Sequence, residues 1–116
     1  KPKPVIIEDD YNTPPPTVVE EMPEFPGGEA AEKFLSENIK YPQTAGEIGV
    51  QGPVFVTFEV EKNGHISGVK LLKGIGSGCD EEALRVISSM PDWNPGRQNG
   101  KEVRVQLNMP IQFKLL

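Results

Sequence analysis

The chain has a single cysteine and a single histidine among its 116 residues. That excludes a disulfide framework and a protein-only metal site of ordinary ligand number, so no cofactor is expected. A lone cysteine says nothing about the redox compartment. No stretch approaches the roughly 18 apolar residues of a membrane helix, and no signal peptide is visible. Positive charge is short as well, with 12 Lys and Arg against 17 Asp and Glu, a net charge of -5 and a pI near 4.9. Basic residues this scattered argue against nucleic acid, or an anionic membrane, as the main partner. The chain begins at Lys1 rather than Met, so a piece of a longer protein is expected, with any targeting or membrane segment lying outside it.

What the chain does have is divided unevenly. Seven of the twelve prolines fall in residues 1–26, with six acids and two lysines and only short apolar islands at Val5–Ile7 and Val18–Val19. Such a stretch buries too little surface to offset its ordering entropy, and its prolines favour extended backbone. It reads as an extended linker. The alternative is an arm that docks on the domain, because Val18, Val19 and Phe25 are able to fill a groove. From residue 27 the composition becomes globular and continues so to residue 116.

The globular part reads as helix, strand, strand, helix, strand. In "GGEAAEKFLSENIKYP", Ala31, Phe34, Leu35, Asn38 and Ile39 share one helical stripe, with Glu29, Glu32, Lys33 and Glu37 outward. Pro42 either stops this helix or opens a short second turn. In "PVFVTFEVEKNGHISGVKLLK", Val54, Val56, Phe58 and Val60 share a face, and Asn63-Gly64 signals a hairpin. Ile66, Val69 and Leu71 then break step, which places Gly68 in a β-bulge. "GSGCDEEALRVISSM" is a second helix, buried along Cys79, Ala83, Val86, Ile87 and Met90, with Ser77 as N-cap and Asp80, Glu81 and Glu82 at the positive end of its dipole. Pro91 ends it.

The closing "KEVRVQLNMPIQFKLL" alternates with period two from Val103 to Leu115, interrupted by Pro110. The predicted fold class is α+β, with two helices on one face of a three-stranded antiparallel sheet of order 2-1-3. The last strand then lies at an edge, the one place where Pro110 is tolerated. A long exposed edge is a liability unless used. One use is β-augmentation, in which a partner peptide adds as another strand. The others are covering two helices and pairing with a second copy in a homodimer.

Three further features suggest chemistry, and each has a plainer reading. Gly74-x-Gly76-x-Gly78 sits where a phosphate loop would, but it misses the dinucleotide spacing, lacks a following Lys and meets three carboxylates. Cys79 begins a helix, where thiols are activated, yet it lies on the buried stripe beside acids. Nothing pairs it with His65 as nucleophile and base, and no enzyme is expected. Trp93, between Pro91 and Pro95, is a ligand platform or a hydrophobic plug under the turn, the plug being the commoner fate.

Taken together, Tyr41-Pro42, Gly52 with Val54, Val56, Phe58 and Val60, "NGHISGVKLL", the corner Trp93-x-Pro95-Gly96 and the terminal Pro110-x-x-Phe113 resemble the C-terminal domain of the TonB family. The resemblance covers roughly residues 24–116. It implies a periplasmic domain of an energy transducer anchored in the inner membrane by an N-terminal helix and driven by the ExbB–ExbD complex. It implies that residues 1–26 end a periplasmic spacer. It also implies capture of the TonB box peptide of outer-membrane transporters, in siderophore or nutrient uptake, by strand addition. Carried over by motif, the partner-binding residues are Val103, Arg104, Val105, Gln106, Leu107, Asn108, Met109, Ile111, Gln112 and Phe113, with Asn38 and Tyr41 in the segment before Tyr-Pro. The acidic spacer departs from relatives that interleave Pro with Lys and Glu. TonB-like modules fused to membrane sensor-peptidases share the pattern, which leaves a structural or dimerisation module as the alternative. If force passes through the last strand, backbone hydrogen bonds worth about 0.5–1.5 kcal/mol each should part before a core anchored at about 1.5–3 kcal/mol per buried side chain.

Overall fold

Four apolar side chains at alternate positions, Val54, Val56, Phe58 and Val60, build strand β1 (Gly52–Val60), and all four are fully buried. Strand β2 (Ile66–Lys73) returns antiparallel to it. Between them Gly64 N–H donates to Glu61 O at 2.8 Å and Glu61 N–H to His65 O at 2.9 Å. The computed structural model describes residues 15–28 and 30–115. Residues 1–14, Glu29 and Leu116 lie outside the described residues, and with them most of the linker reading, the outward placement of Glu29 and the last residue of the domain.

The expected order of elements is present, with further short elements added to it. Helix α1 (Ala31–Asn38) buries Ala31 and Leu35. Pro42 caps a short helix α2 (Gln43–Ile48), closed by Gly49 at φ +77°, so the second turn anticipated at Pro42 forms. Helix α3 (Cys79–Ser88) buries Cys79, Ala83, Val86 and Ile87 and ends before Pro91. The central sheet has the order β2-β1-β5, where β5 (Val105–Phe113) runs antiparallel to β1 from Val60↔Val105 to Gly52↔Phe113. Its inner side chains Val105, Ile111 and Phe113 complete the core with α3 on the same face. The bulge expected at Gly68 is there. Thr57 pairs with Lys70 and Glu59 with Ser67, leaving one extra residue on β2, and Gly68 has φ +59° with Glu59 against it.

The long last strand is not continuous. Lys101–Val103 forms β4, paired with β3 (Gly96–Gln98) in a separate two-stranded sheet, and Arg104 falls between β4 and β5. The reason is a tight turn, in which Asn99 and Gly100 both have positive φ (+53° and +74°), as a type I′ hairpin requires. Alternation alone does not reveal the break, because Val103 and Val105 keep the same parity on both sides of it.

Composition placed a division near residue 26, but packing against the domain begins earlier. Phe25 is buried, its ring 5.5 Å from that of Phe34 and 5.6 Å from that of Trp93. Glu21 and Arg97 exchange both backbone hydrogen bonds (3.0 and 2.8 Å), as do Glu24 and Asn94 (3.0 and 2.8 Å).

Gly64 ties the hairpin to this corner. It holds φ +87°, its carbonyl accepts from Trp93 N–H at 2.8 Å, and a Cβ there would stand 1.9 Å from Trp93 O. Since that neighbour is backbone, Gly64→Ala should destabilise the domain by about 2–4 kcal/mol. Urea unfolding of the two chains, with a lower midpoint at unchanged slope, is the check.

Candidate functional site

In an antiparallel pair the backbone groups of successive residues point alternately toward and away from the neighbouring strand. The parity on β5 is set by Gln106, whose N–H is bonded not to β1 but to Pro16 O at 2.9 Å. Gln106, Asn108, Pro110 and Gln112 therefore direct their backbone away from the sheet. Val105, Leu107, Met109, Ile111 and Phe113 direct theirs to β1, in register with Val60, Phe58, Val56, Val54 and Gly52. Pro110 has no N–H to lose on the outward side, so it sits in the strand without breaking the β1 ladder. Among the described residues no strand pairs with this edge.

The twelve residues nominated from sequence thus separate by role. Gln106, Asn108 and Gln112 present backbone outward. Val105, Ile111 and Phe113 are buried and hold the strand to the core, with Leu107 and Met109 half-buried beside them. Val103 belongs to β4 and pairs with Gly96, away from the edge. Arg104 lies in the break, its guanidinium 3.4 Å from Glu59. Pro110, whose carbonyl also faces outward, was absent from the nominated set. Its parity was legible, since it shares the even positions with Gln106 and Asn108.

Beneath the outward row the sheet is locked by a small polar cluster. Thr57 Oγ1 donates to Leu107 O at 3.1 Å and accepts from Gln106 Nε2 at 3.0 Å. Beside β5, an open cleft of about 490 Å³ runs between Met109, Trp93, Phe25 and the start of α1. Trp93 is buried edge-on to Phe58 (5.6 Å), which makes it the plug, and its indole N–H has no hydrogen-bond partner among the described residues.

Tyr41 lies at the far end of β5, and Asn38 lies against α3. The Tyr41 ring meets Phe113 edge-on at 5.7 Å and its hydroxyl donates to Val50 O. Burial, then the neighbouring Cys79, pushes the Tyr41 hydroxyl above its ordinary value. Asn38 Nδ2 donates to Phe34 O at 2.8 Å, and Asn38 O accepts from Arg85 at 3.1 Å. Lys40 N–H donates to Glu82 at 2.6 Å, and Glu82 pairs with Arg85 at 2.7 Å. The hydrogen bond from Arg85 holds the Glu82 carboxyl below the usual range, against its partial burial. The pair on α3 fastens the segment preceding Tyr-Pro.

The loop of three glycines has its own anion. Asp80 Oδ1 accepts from Ile75 N–H at 2.8 Å and from Gly76 N–H at 3.2 Å, and a Cβ on Gly74 would meet that carboxylate at 2.2 Å. The carboxylate fills the place a phosphate would take. The N-cap residue of α3 is Gly78 rather than the expected Ser77, and no side chain caps the helix. Cys79 is fully buried, and burial, with Asp80 and Glu81 adding to it, pushes its thiol up, away from a nucleophile. His65 faces Asp92 at 3.2 Å on the surface, not Cys79.

Fold and edge together define a two-layer α+β domain whose outermost long strand has no strand paired on its outer side among the described residues. The family described as Gram-negative bacterial TonB protein C-terminal matches residues 37–115, and the chain belongs to that family. It is 28% identical over 76 residues to Protein TonB of Xanthomonas campestris pv. campestris, in strains B100 and ATCC 33913 alike. Those matches span 66% of this chain and 34% of the relatives, so the chain spans about a third of the length of the curated relatives it matches. The solution structure of the Helicobacter pylori TonB C-terminal domain, residues 194–285, superposes with a TM-score of 0.57 at 25% identity, over 72% of this chain and 88% of that one. A longer form, residues 179–285, gives 0.57 at 23%, over 73% and 77%, a likeness of fold.

Replacing Glu82 by Gln should cost about 1 kcal/mol, because the Arg85 pair is half in solvent. A carboxyl whose folded pKa is depressed stabilises above its unfolded pKa and loses that contribution as pH falls through the folded value. Between neutral pH and about pH 3 the parent should therefore lose more stability than Glu82→Gln. Thermal unfolding of both chains across that range measures the difference.

Proposed function

We propose that the domain is the receptor-binding part of a TonB-type energy transducer, and that it takes up the TonB box peptide of an outer-membrane transporter as an extra strand on β5. The observation that carries this is the outward row Gln106, Asn108, Pro110 and Gln112 on an edge with no strand beyond it among the described residues. Family membership supports the same reading. Backbone groups supply the pairing, and the cleft beside Met109 has room for a side chain of the added strand. The segment Asn38–Tyr41, fixed by Glu82 and Arg85, offers a second contact at the end of β5.

In this reading the protein is held in the inner membrane by a helix outside this chain, is driven there by ExbB–ExbD, and works in the periplasm, with the proline-rich residues 1–26 ending its spacer. Among the described residues no helix is long and apolar enough to cross a membrane. The outcome of uptake is delivery of a siderophore or another nutrient. The domain acts as an adaptor rather than a catalyst.

Amide NMR titration with peptides from the N-terminal ends of outer-membrane transporters should give saturable shifts along residues 105–113. Asn108→Pro removes an outward N–H and should weaken binding about tenfold or more with little loss of stability, whereas Leu107→Pro removes a ladder bond to β1 and should unfold the sheet. Concentration-dependent broadening of β5 without peptide-induced shifts would instead mean that the edge serves self-pairing.

A further inference from the structure

The β5 edge already has an occupant at one end. Gln106, the first outward residue, gives its N–H to Pro16 O at 2.9 Å, and Pro16 comes from the chain's own arm. The arm has a firm base and a loose tip. At the base, Glu21 and Glu24 each make two backbone bonds, Glu20 N–H donates to Gln98 Oε1 at 2.9 Å, its carboxylate accepts from Asn99 N–H, and Phe25 is buried. At the described tip, residues 15–19, the one backbone hydrogen bond to the domain among the described residues is that to Gln106, with Pro15 and Val19 half-buried and Val18 79% exposed.

We propose that Pro15–Val19 is an intramolecular competitor for the β5 edge, which must give up Gln106 before a partner strand pairs along the whole of β5. This rests on the reading of β5 as the site of strand addition. A strand needs the outward N–H and C=O of Gln106 to pair there, and one N–H cannot serve two carbonyls in line. Among the described residues, displacing the tip breaks one backbone hydrogen bond, while the base, Phe25 and the β3–β4 contacts stay in place. The tip also shields the part of the edge nearest the break at Arg104, the only outward N–H on β5 that is bonded among the described residues.

The test keeps the chain at full length and loosens the tip by Pro15→Gly, Pro16→Ser, Thr17→Gly, Val18→Ser and Val19→Gly together. Hydrogen exchange reads the contact without any partner. The Gln106 amide should exchange about tenfold faster in the altered chain, while Leu107 and Met109, bonded to β1, stay unchanged. Equal Gln106 protection in the two chains overturns the proposal. With a transporter N-terminal peptide that binds the parent, the altered chain should bind about 2- to 10-fold more tightly, the worth of one backbone hydrogen bond. Equal affinity, with Gln106 still bonded to the arm in the complex, overturns it as well. If no such peptide binds either chain, the functional reading fails, and sedimentation still judges the arm. An altered chain that self-associates at concentrations where the parent is monomeric supports its hold on the edge, and identical behaviour overturns it.

Discussion

Val54, Val56, Phe58 and Val60 give β1 a face that water does not reach, and within the sheet plane its backbone is paired on both sides, to β2 and to β5. Each buried side chain of this kind is worth about 1.5–3 kcal/mol, against about 0.5–1.5 kcal/mol net for a backbone hydrogen bond. The inner side of β5 shares in both, through Val105, Ile111 and Phe113 and through a nine-residue ladder. Its outer side, among the described residues, has only the backbone bond from Gln106 to Pro16 O. The same strand is thus costly to remove from the domain and easy to extend, and that inequality is the physical basis of a docking edge.

Trp93 is the second organising point. It joins three segments far apart in sequence: the hairpin turn through Gly64 O, the core through Phe58 and the arm through Phe25. The aromatic corner explains why the arm's base is fixed although its composition is that of a linker. A single Phe with a ring to meet outweighs several prolines that favour extension, and extended backbone suits the bridges to Asn94 and Arg97.

Much of this was legible in the sequence because it rests on period and on local turn chemistry. The alternating β1, the bulge at Gly68, the stripe of α3 and the edge position implied by Pro110 all follow from neighbours within a few residues. The break at Arg104 did not, because parity is preserved across it, although "QNGK" carries a second Asn-Gly signal. Asp80 stands in the first turn of α3 as expected, but its bonds to the backbone N–H groups of the glycine loop were not legible, because they depend on how the loop folds back. That Gln106 is engaged by Pro16 is a tertiary fact that no local pattern encodes. The docking of Phe25 is of the same kind.

Pro110 has a consequence for how an added strand finds its place. A bare strand edge looks the same after every shift of two residues, so backbone pairing alone cannot tell one alignment from the next. The outward donors of β5 run Gln106, Asn108, none, Gln112. That gap breaks the translational symmetry of the edge, because only some alignments bring a carbonyl of the incoming chain opposite a position that has nothing to offer it. A guest strand whose carbonyl at that position is satisfied by water loses nothing there, and a copy shifted so that a carbonyl without water faces it loses a bond. The missing proton is thereby a mark on an otherwise featureless ruler.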